Sequence, residues 1–134
     1  MPNESIDDLS PLQQRVMEIV WGLNEATVHD VRRSLTSRKK QPAYTTVLSV
    51  MQKLEMAGWL DHRADGKAYV YFPTRTQQKA QKKSLQQFVG RVFGGDLQVF
   101  FQHLLDEEQL TVEDLIEFRK RIDKRKKELG DEHQ

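Results

Sequence analysis

Apolar side chains recur at helical spacing in three successive segments of the N-terminal half of the chain. The repeats comprise Leu12, Val16, Ile19, Val20 and Leu23, then Val28, Val31 and Leu35, and then Val47, Val50, Met51 and Leu54. Each repeat falls on one face of a helix, because residues three or four positions apart are neighbours on a helix surface. The pattern therefore predicts three amphipathic helices that can share one core.

Capping signals give these helices their starts and ends. The segment SPLQ at residues 10–13 combines an N-cap serine, a proline at the first helical position and a glutamine that completes a capping box. Thr27 can cap the second helix, and the preceding connection is short enough for a brief strand. We expect the third helix to begin at Pro42 and to end at Gly58, where a left-handed residue would close it.

The period changes to two on both sides of Asp65-Gly66, which is a hairpin signal. Leu60, His62 and Ala64 alternate with Asp61 and Arg63, and Ala68, Val70 and Phe72 alternate with Tyr69 and Tyr71. Three helices followed by a hairpin is the element order of a winged helix-turn-helix, whose third helix enters the major groove of DNA. The predicted fold is mostly α with a small antiparallel β wing, and this domain covers residues 1–75.

After PTRT at residues 73–76 the apolar positions return to helical spacing and predict three more helices, the last capped by Thr111. Their apolar positions are Leu85, Phe88, Val89, Val92, Phe93, Leu97, Phe100, Phe101, Leu104, Leu105, Leu115, Ile116, Phe118 and Ile122. Short helices with such wide apolar faces favour an all-helical homodimerisation region over residues 76–134. The alternative is that these helices fold back on the first domain. Residues 123–134 are expected to form a flexible basic and acidic tail.

Charge is divided unevenly along the chain. The whole chain carries a net charge of +1, but residues 1–95 hold 14 Lys or Arg against 9 Asp or Glu, which gives +5. Residues 96–134 hold 7 against 11, which gives −4. A basic front and an acidic rear indicate that only the front meets a polyanion. The absence of cysteine, of a long apolar run and of a signal peptide favours a cytoplasmic protein without membrane insertion.

Enzyme and cofactor motifs are missing from the sequence. His29, His62, His103 and His133 are scattered, and no HExxH motif, phosphate-binding loop or dinucleotide fingerprint is present. We therefore expect neither catalysis, nor a cofactor, nor a metal site within one chain. A winged-helix module that docks on another protein remains the alternative to a DNA-binding protein, because fold alone does not settle function.

Two sets of residues are candidates for DNA contact. Base edges would be read by Ala43, Tyr44, Thr45, Thr46 and Ser49 at the start of the third helix, whose methyl and hydroxyl groups are short enough to approach the groove floor. Phosphates would be bound by Arg32, Arg33, Arg38, Lys39, Lys40, Lys53, Arg63 and Lys67. The alternatives are solvated charges, a packing role for Tyr44, and a bond from Thr46 back to its own helix.

Four segments in this order resemble the penicillinase-repressor family, the winged-helix repressors of β-lactamase and methicillin-resistance genes. They are LSPLQQRVMEIVW, AYTTVLSVMQKLEMAGWL, the wing DHRADGKAYVYF and FVGRVFGGDLQVFFQHLL. The last is the most diagnostic, because winged-helix proteins in general do not share this helix–GG–helix ending. The resemblance runs from about Leu9 to Ile122.

The resemblance implies a homodimeric transcriptional repressor that occupies a palindromic operator and regulates antibiotic resistance. It also implies inactivation by proteolysis after a membrane-bound sensor metalloprotease detects a β-lactam. The well-known members are cut at an Asn–Phe bond after the GG pair, and the corresponding position in this chain is His103–Leu104. Copper-responsive relatives carry cysteine pairs in the C-terminal tail, which this chain lacks.

Overall fold

A computed structural model describes residues 5–37 and 40–132 of the chain. After a short 3₁₀ turn at Ile6–Asp8, the elements are α1 (Pro11–Leu23), α2 (Val28–Leu35), α3 (Tyr44–Met56), β1 (Leu60–Asp65), β2 (Ala68–Pro73), α4 (Gln77–Phe93), α5 (Leu97–Leu105) and α6 (Val112–Glu132). The prediction of a mostly helical chain with one two-stranded antiparallel wing is confirmed. None of the helices within the described ranges has the length and apolar content to cross a membrane.

Side-chain caps start α1 and α2 where the sequence predicts them. The Ser10 hydroxyl accepts a bond from the Gln13 amide, and the Gln13 side chain accepts one from the Ser10 amide. Thr27 and Asp30 form the same reciprocal box at the start of α2. The bond that Asp30 accepts from the Thr27 amide is the main reason why the pKa of Asp30 is lowered. These boxes satisfy amide groups that the first turn of a helix leaves without partners.

The third helix begins at Tyr44, so the expectation that it begins at Pro42 was wrong. Ala43 is its N-cap and has no side chain that can accept a bond from the first turn. Pro42 is held outside the helix because its carbonyl accepts a bond of 2.7 Å from the Arg32 Nε atom. The predicted end is confirmed, since Gly58 has a φ of +86° in the left-handed region that glycine tolerates.

The core of the first unit is closed by Trp59, which is fully buried. The apolar faces of the first three helices meet around it, through Val16, Val20, Val31, Val47, Met51 and Leu54. The Trp21 ring packs edge-on against the Trp59 ring with centroids 6.2 Å apart. The Arg75 guanidinium lies 4.3 Å from the centre of the Trp59 ring. The Trp21 Nε1 atom also donates a bond of 2.9 Å to the Arg75 carbonyl. The PTRT segment is therefore bound to the core.

The wing has a two-residue loop at Gly66–Lys67, because Asp65 pairs with Ala68. Of these two loop residues, Gly66 has a positive φ of +63° and Lys67 does not, which is the pattern of a type II′ turn. Both Val70 and Tyr71 are buried, although they lie on opposite faces of β2. Tyr71 is covered because its backbone exchanges bonds of 2.8 and 2.9 Å with Ala26, so the brief strand expected before α2 is present as a single bridge.

The chain divides into two compact units, Met1–Phe88 and Val89–Gln134. The first unit continues past the boundary predicted at residue 75, because the first turns of α4 complete its packing. Ala80 belongs to the core, and the Ser84 hydroxyl accepts a bond of 2.8 Å from the Ile6 amide. We propose that the functional boundary lies within α4 rather than at PTRT.

The second unit contains the end of α4, followed by α5 and α6. Gly94 and Gly95 have φ values of +60° and +82° and separate α4 from α5, as the sequence predicts. Asp96 caps α5, and Thr111 forms a capping box with Asp114 at the start of α6. Within this unit the Phe93 ring contacts Phe100 at a centroid distance of 5.7 Å.

Helix α6 continues through Glu132, so the expectation of a flexible tail from residue 123 was wrong for residues 123–132. The segment DKRKKEL consists almost entirely of residues with high helix propensity, which extend a helix that is already capped and nucleated. Ion pairs at i, i+3 spacing, such as Arg125–Glu128 at 3.3 Å, lie along its exposed surface. The solvent exposure that the sequence predicts for this segment is present.

Candidate nucleic-acid interface

The first turns of α3 place all five predicted base-reading residues at the surface. Ala43, Tyr44, Thr45, Thr46 and Ser49 are exposed. On the opposite face of the helix, Val47, Met51 and Leu54 are buried in the core. The helix therefore presents small methyl and hydroxyl groups outward while its apolar face fixes its position. None of the five exposed side chains except Tyr44 is long enough to hold the helix away from a groove.

Tyr44 has a packing contact as well as an exposed surface. Its ring lies 5.0 Å from the His29 ring in a tilted arrangement, and 39% of the residue is exposed. His29 is on the first turn of α2, so the aromatic pair joins the starts of two helices. Thr46 is exposed, and no bond from its hydroxyl to its own helix is present among the described residues. The arrangement leaves the hydroxyl groups of α3 available to a ligand.

Some of the predicted phosphate-binding residues are exposed, and others already have partners within the protein. Lys40, Lys53 and Lys67 are exposed. Arg32 is half-buried and uses its Nε atom to bind the Pro42 carbonyl, and Arg33 pairs with Asp30 one turn earlier. Arg38 and Lys39 lie outside the described residues. The structure thus gives Arg32 a positioning role at the start of α3 that its place in a basic run does not reveal.

Arg63 on the wing is engaged by a carboxylate. Its two terminal nitrogens donate bonds of 2.7 and 2.9 Å to the two carboxylate oxygens of Glu25. The bond from Arg63 lowers the pKa of Glu25, and the bond to Glu25 raises the pKa of Arg63. Both side chains are about half exposed, so water and salt screen the pair. Sequence reasoning missed Glu25 because it lies in the connection before α2, far from the wing along the chain.

A cleft of about 390 Å³ lies between α3, the start of α2 and the wing. The Glu55 carboxylate and the His62 Nδ1 atom are in contact on one side of it. The His62 ring lies 4.7 Å from the Tyr69 ring and 5.4 Å from the Tyr71 ring. Asp61 adds an exposed carboxylate, and one potential ligand atom each from Asp61, Glu55 and His62 lies within 4.8 Å of the others. No spacing in the sequence indicates this group, because a helix and a strand bring its members together.

The second unit exposes a large amount of apolar surface. Leu97 is 66% exposed and Ile116 is 52% exposed. Of the other residues predicted to form a dimer interface, those exposed are Val92, Phe101, Leu105, Leu115 and Ile122 in this unit and Leu85 in the first unit. Those half-buried are Phe93, Phe100, Leu104 and Phe118 in this unit and Phe88 at the end of the first unit. Val89 is the exception, since it is buried within the chain itself. Exposed apolar side chains in such number are typical of an interaction site.

The peptide bond between His103 and Leu104 lies inside α5. His103 is exposed, and its ring packs 5.4 Å from the Phe93 ring. Leu104 is half-buried. A protease could reach this bond only after the helix opens locally, because a hydrogen-bonded helical backbone does not fit an extended substrate groove.

Comparisons with known proteins agree with this architecture. The sequence model of the family described as penicillinase repressor matches residues 9–124. The penicillinase repressor of Bacillus licheniformis is 23% identical over 123 residues, which cover 92% of this chain and 95% of that protein. The methicillin resistance regulatory protein MecI of Staphylococcus aureus strain N315 is 20% identical over 118 residues, which cover 88% and 95% of the two proteins.

The fold is also found in a solved structure of lower sequence similarity. A mutant form of MarR from E. coli, complexed with operator DNA, has a TM-score of 0.50 and 16% identity to this chain. The match covers 91% of this chain and 80% of that one, and at this identity it is evidence for the fold alone. Together with the family match over residues 9–124, the comparisons show that the chain belongs to the penicillinase repressor family of winged-helix transcriptional repressors.

Proposed function

We propose that this protein is a homodimeric repressor that binds an inverted-repeat DNA operator through α3 and the wing. The observation that carries the proposal is the outward face of α3, where Ala43, Tyr44, Thr45, Thr46 and Ser49 are all exposed above a fully buried opposite face. Small side chains allow a helix to lie deep in the major groove, and methyl and hydroxyl groups can contact base edges there. Hydroxyl and basic groups on this face favour DNA over an apolar or acidic protein partner.

Phosphate contacts would come from three exposed lysines on α3 and next to it in the chain and in the wing. Lys40 precedes the helix, Lys53 lies on its later turns, and Lys67 is in the wing loop. The start of α3 has no side-chain cap, so its backbone amides add a further site for a phosphate. Such contacts release counterions, and binding should weaken steeply as salt is added.

A base-reading residue and a phosphate-binding residue on α3 should respond differently to substitution. Thr45→Ala should change the preference at one base pair of the operator by about 1 kcal/mol, because it removes a hydroxyl from a base edge. Lys53→Ala should weaken binding to all sequences alike and reduce the salt slope by about 1, because it removes one phosphate contact. Fluorescence anisotropy with operator and unrelated duplexes at several salt concentrations separates the two effects. The reverse pattern would contradict the assignment of roles.

The ion pair between Glu25 and Arg63 should lower the affinity of the protein for DNA, because it occupies a cation of the wing. Glu25→Gln removes the charge that holds Arg63, so affinity for any duplex should rise about two- to fivefold and the salt slope should steepen by about 1. Asp65→Asn is the matched control, since it removes one charge from the same wing and Asp65 acts on Arg63 through its charge alone. If Glu25→Gln raises affinity no more than Asp65→Asn does, Arg63 has no phosphate role.

Release of the repressor is proposed to follow proteolysis in α5, at or near His103–Leu104, by a system with a membrane sensor metalloprotease. The resemblance of the chain to its family motivates this step, and the exposure of His103 is compatible with it. Cleavage there would cut through the exposed apolar surface of the second unit and separate α6 from α4. A cut at this point would therefore dissociate a dimer formed by that surface.

A further inference from the structure

The cleft between the wing and α3 has the composition of a binding site for a cation. Tyr44, Tyr69 and Tyr71 supply three phenol rings to its walls, and Glu55 supplies one carboxylate. Lys67, which is exposed on the wing loop, also lines the cleft. The electron-rich faces of aromatic rings attract cations, and a carboxylate beside them acts as a counter-ion. At about 390 Å³ the cleft falls within the range of pockets that hold small organic ligands.

Tyr71 contributes a hydroxyl group to the cleft. The residue is 2% exposed and lines the cleft, and the buried side-chain polar atom that lacks a partner among the described residues is the Trp59 Nε1 atom, not the Tyr71 hydroxyl. The Tyr71 hydroxyl can therefore bind water in the cleft and exchange that water for a ligand. Burial is the main reason why the pKa of Tyr71 is raised, and the charges of Glu55, Tyr44 and Tyr69 raise it further. The phenol therefore stays neutral, and the carboxylate and the three phenols face one space.

The Glu55 carboxylate is fixed in place on this cleft. It contacts the His62 Nδ1 atom, and His62 is itself held between the rings of Tyr69 and Tyr71. About a third of the Glu55 side chain is exposed, so it can meet a ligand without being stripped of all its water. A charge held by packed neighbours loses little conformational freedom on binding, which favours recognition of a small ligand.

We propose that this cleft binds a small organic cation, an alkyl- or arylammonium, with Glu55 as its counter-ion and the rings of Tyr44, Tyr69 and Tyr71 as its walls. The ligand would add its positive charge between the carboxylate and the rings, and its alkyl groups would contact Leu48 on α3. Tyr44 belongs both to this cleft and to the proposed base-reading face. Binding of the ligand to the free protein does not depend on the proposed function.

The test is a titration of the full-length protein without DNA, followed by backbone amide NMR. The probes are choline and benzyltrimethylammonium, each added to about 50 mM because ligands of so few atoms bind weakly. The uncharged isostere of choline, 3,3-dimethylbutan-1-ol, separates charge from shape. We expect shifts at Tyr44, Glu55 and Tyr69, with the isostere binding at least about tenfold more weakly than choline, the factor that a partly desolvated cation–π contact supplies.

Two variants and a control make the assignment specific. Glu55→Gln keeps the shape of the side chain and should weaken ammonium binding about tenfold, and Tyr69→Leu, at a residue that is 56% exposed, should weaken it about fivefold. Glu18→Gln, at an exposed carboxylate on α1, should leave binding unchanged. Failure of both ammonium probes to shift the cleft residues would overturn the proposal, as would equal binding of the isostere. Binding that appears only with added zinc would instead assign Glu55, Asp61 and His62 to a metal site.

Discussion

Replacing Leu97 and Ile116 together by aspartate should convert the protein to a monomer and lower its affinity for an inverted-repeat operator about 100- to 1,000-fold. These side chains are 66% and 52% exposed in the single chain, and both belong to the apolar surface of the second unit. Buried aspartates would have to lose their hydration without a partner, which opposes association. A dimer binds its second half-site at a high effective concentration, and a monomer loses that gain.

Sedimentation and anisotropy measurements test this expectation together. The double variant should sediment as a monomer and should bind a single half-site as the wild-type protein does, because α3 is not altered. Gln98→Asp with Gln109→Asp is the control, since it adds the same charge at two exposed polar positions of the same unit. A double variant that remains dimeric, or that keeps wild-type affinity for the full operator, would contradict dimerisation through this surface.

Trp59→Ala should lower the free energy of unfolding of the first unit by about 3–5 kcal/mol, the cost of truncating a large aromatic residue in a core. Trp59 is fully buried, and it contacts both the Trp21 ring and the Arg75 guanidinium. Its removal would leave a cavity where the PTRT segment binds the core, so loss of order around Thr74 and Arg75 should accompany the loss of stability. Arg75 also donates a bond of 3.2 Å to the Gly58 carbonyl next to Trp59.

Urea denaturation followed by circular dichroism measures this change. Met56→Ala is the matched control, because Met56 ends α3 three residues before Trp59 and is 88% exposed. Truncation at such an exposed position should alter the unfolding free energy by less than about 0.5 kcal/mol. Equal midpoints for the two variants would show that Trp59 is not the centre of the core.

Local signals in the sequence determine much of the fold. The caps at Ser10, Thr27 and Thr111 each involve two residues that are three positions apart. The apolar face of α3 likewise depends on residues that are one helical turn apart. The exposure of Thr45 and Ser49 follows from the same spacing, because Val47 between them is buried. Interactions of this kind are encoded within a few residues, so they can be derived before any tertiary structure is known.

Contacts between distant segments could not be derived in this way. The bonds from Arg32 to Pro42 and from Arg63 to Glu25 join side chains and segments that only the folded chain brings together. As a result, two cations predicted as free phosphate ligands have protein partners. The contact between Glu55 and His62 and the burial of Tyr71 also depend on how the wing packs on α3. The position of the candidate site on α3 could therefore be derived from the sequence, whereas the ion pairs around it could not.

The connection into the third helix has a consequence for how sequence length can vary in this protein. Ser37 and Lys40 bind each other through two backbone bonds of 3.2 Å, and Arg32 holds Pro42 from the preceding helix. A reciprocal pair of backbone bonds needs its two residues at a fixed separation, so inserted residues between Ser37 and Lys40 should break the pair and displace the start of the third helix. This connection should therefore tolerate changes of residue type better than changes of length.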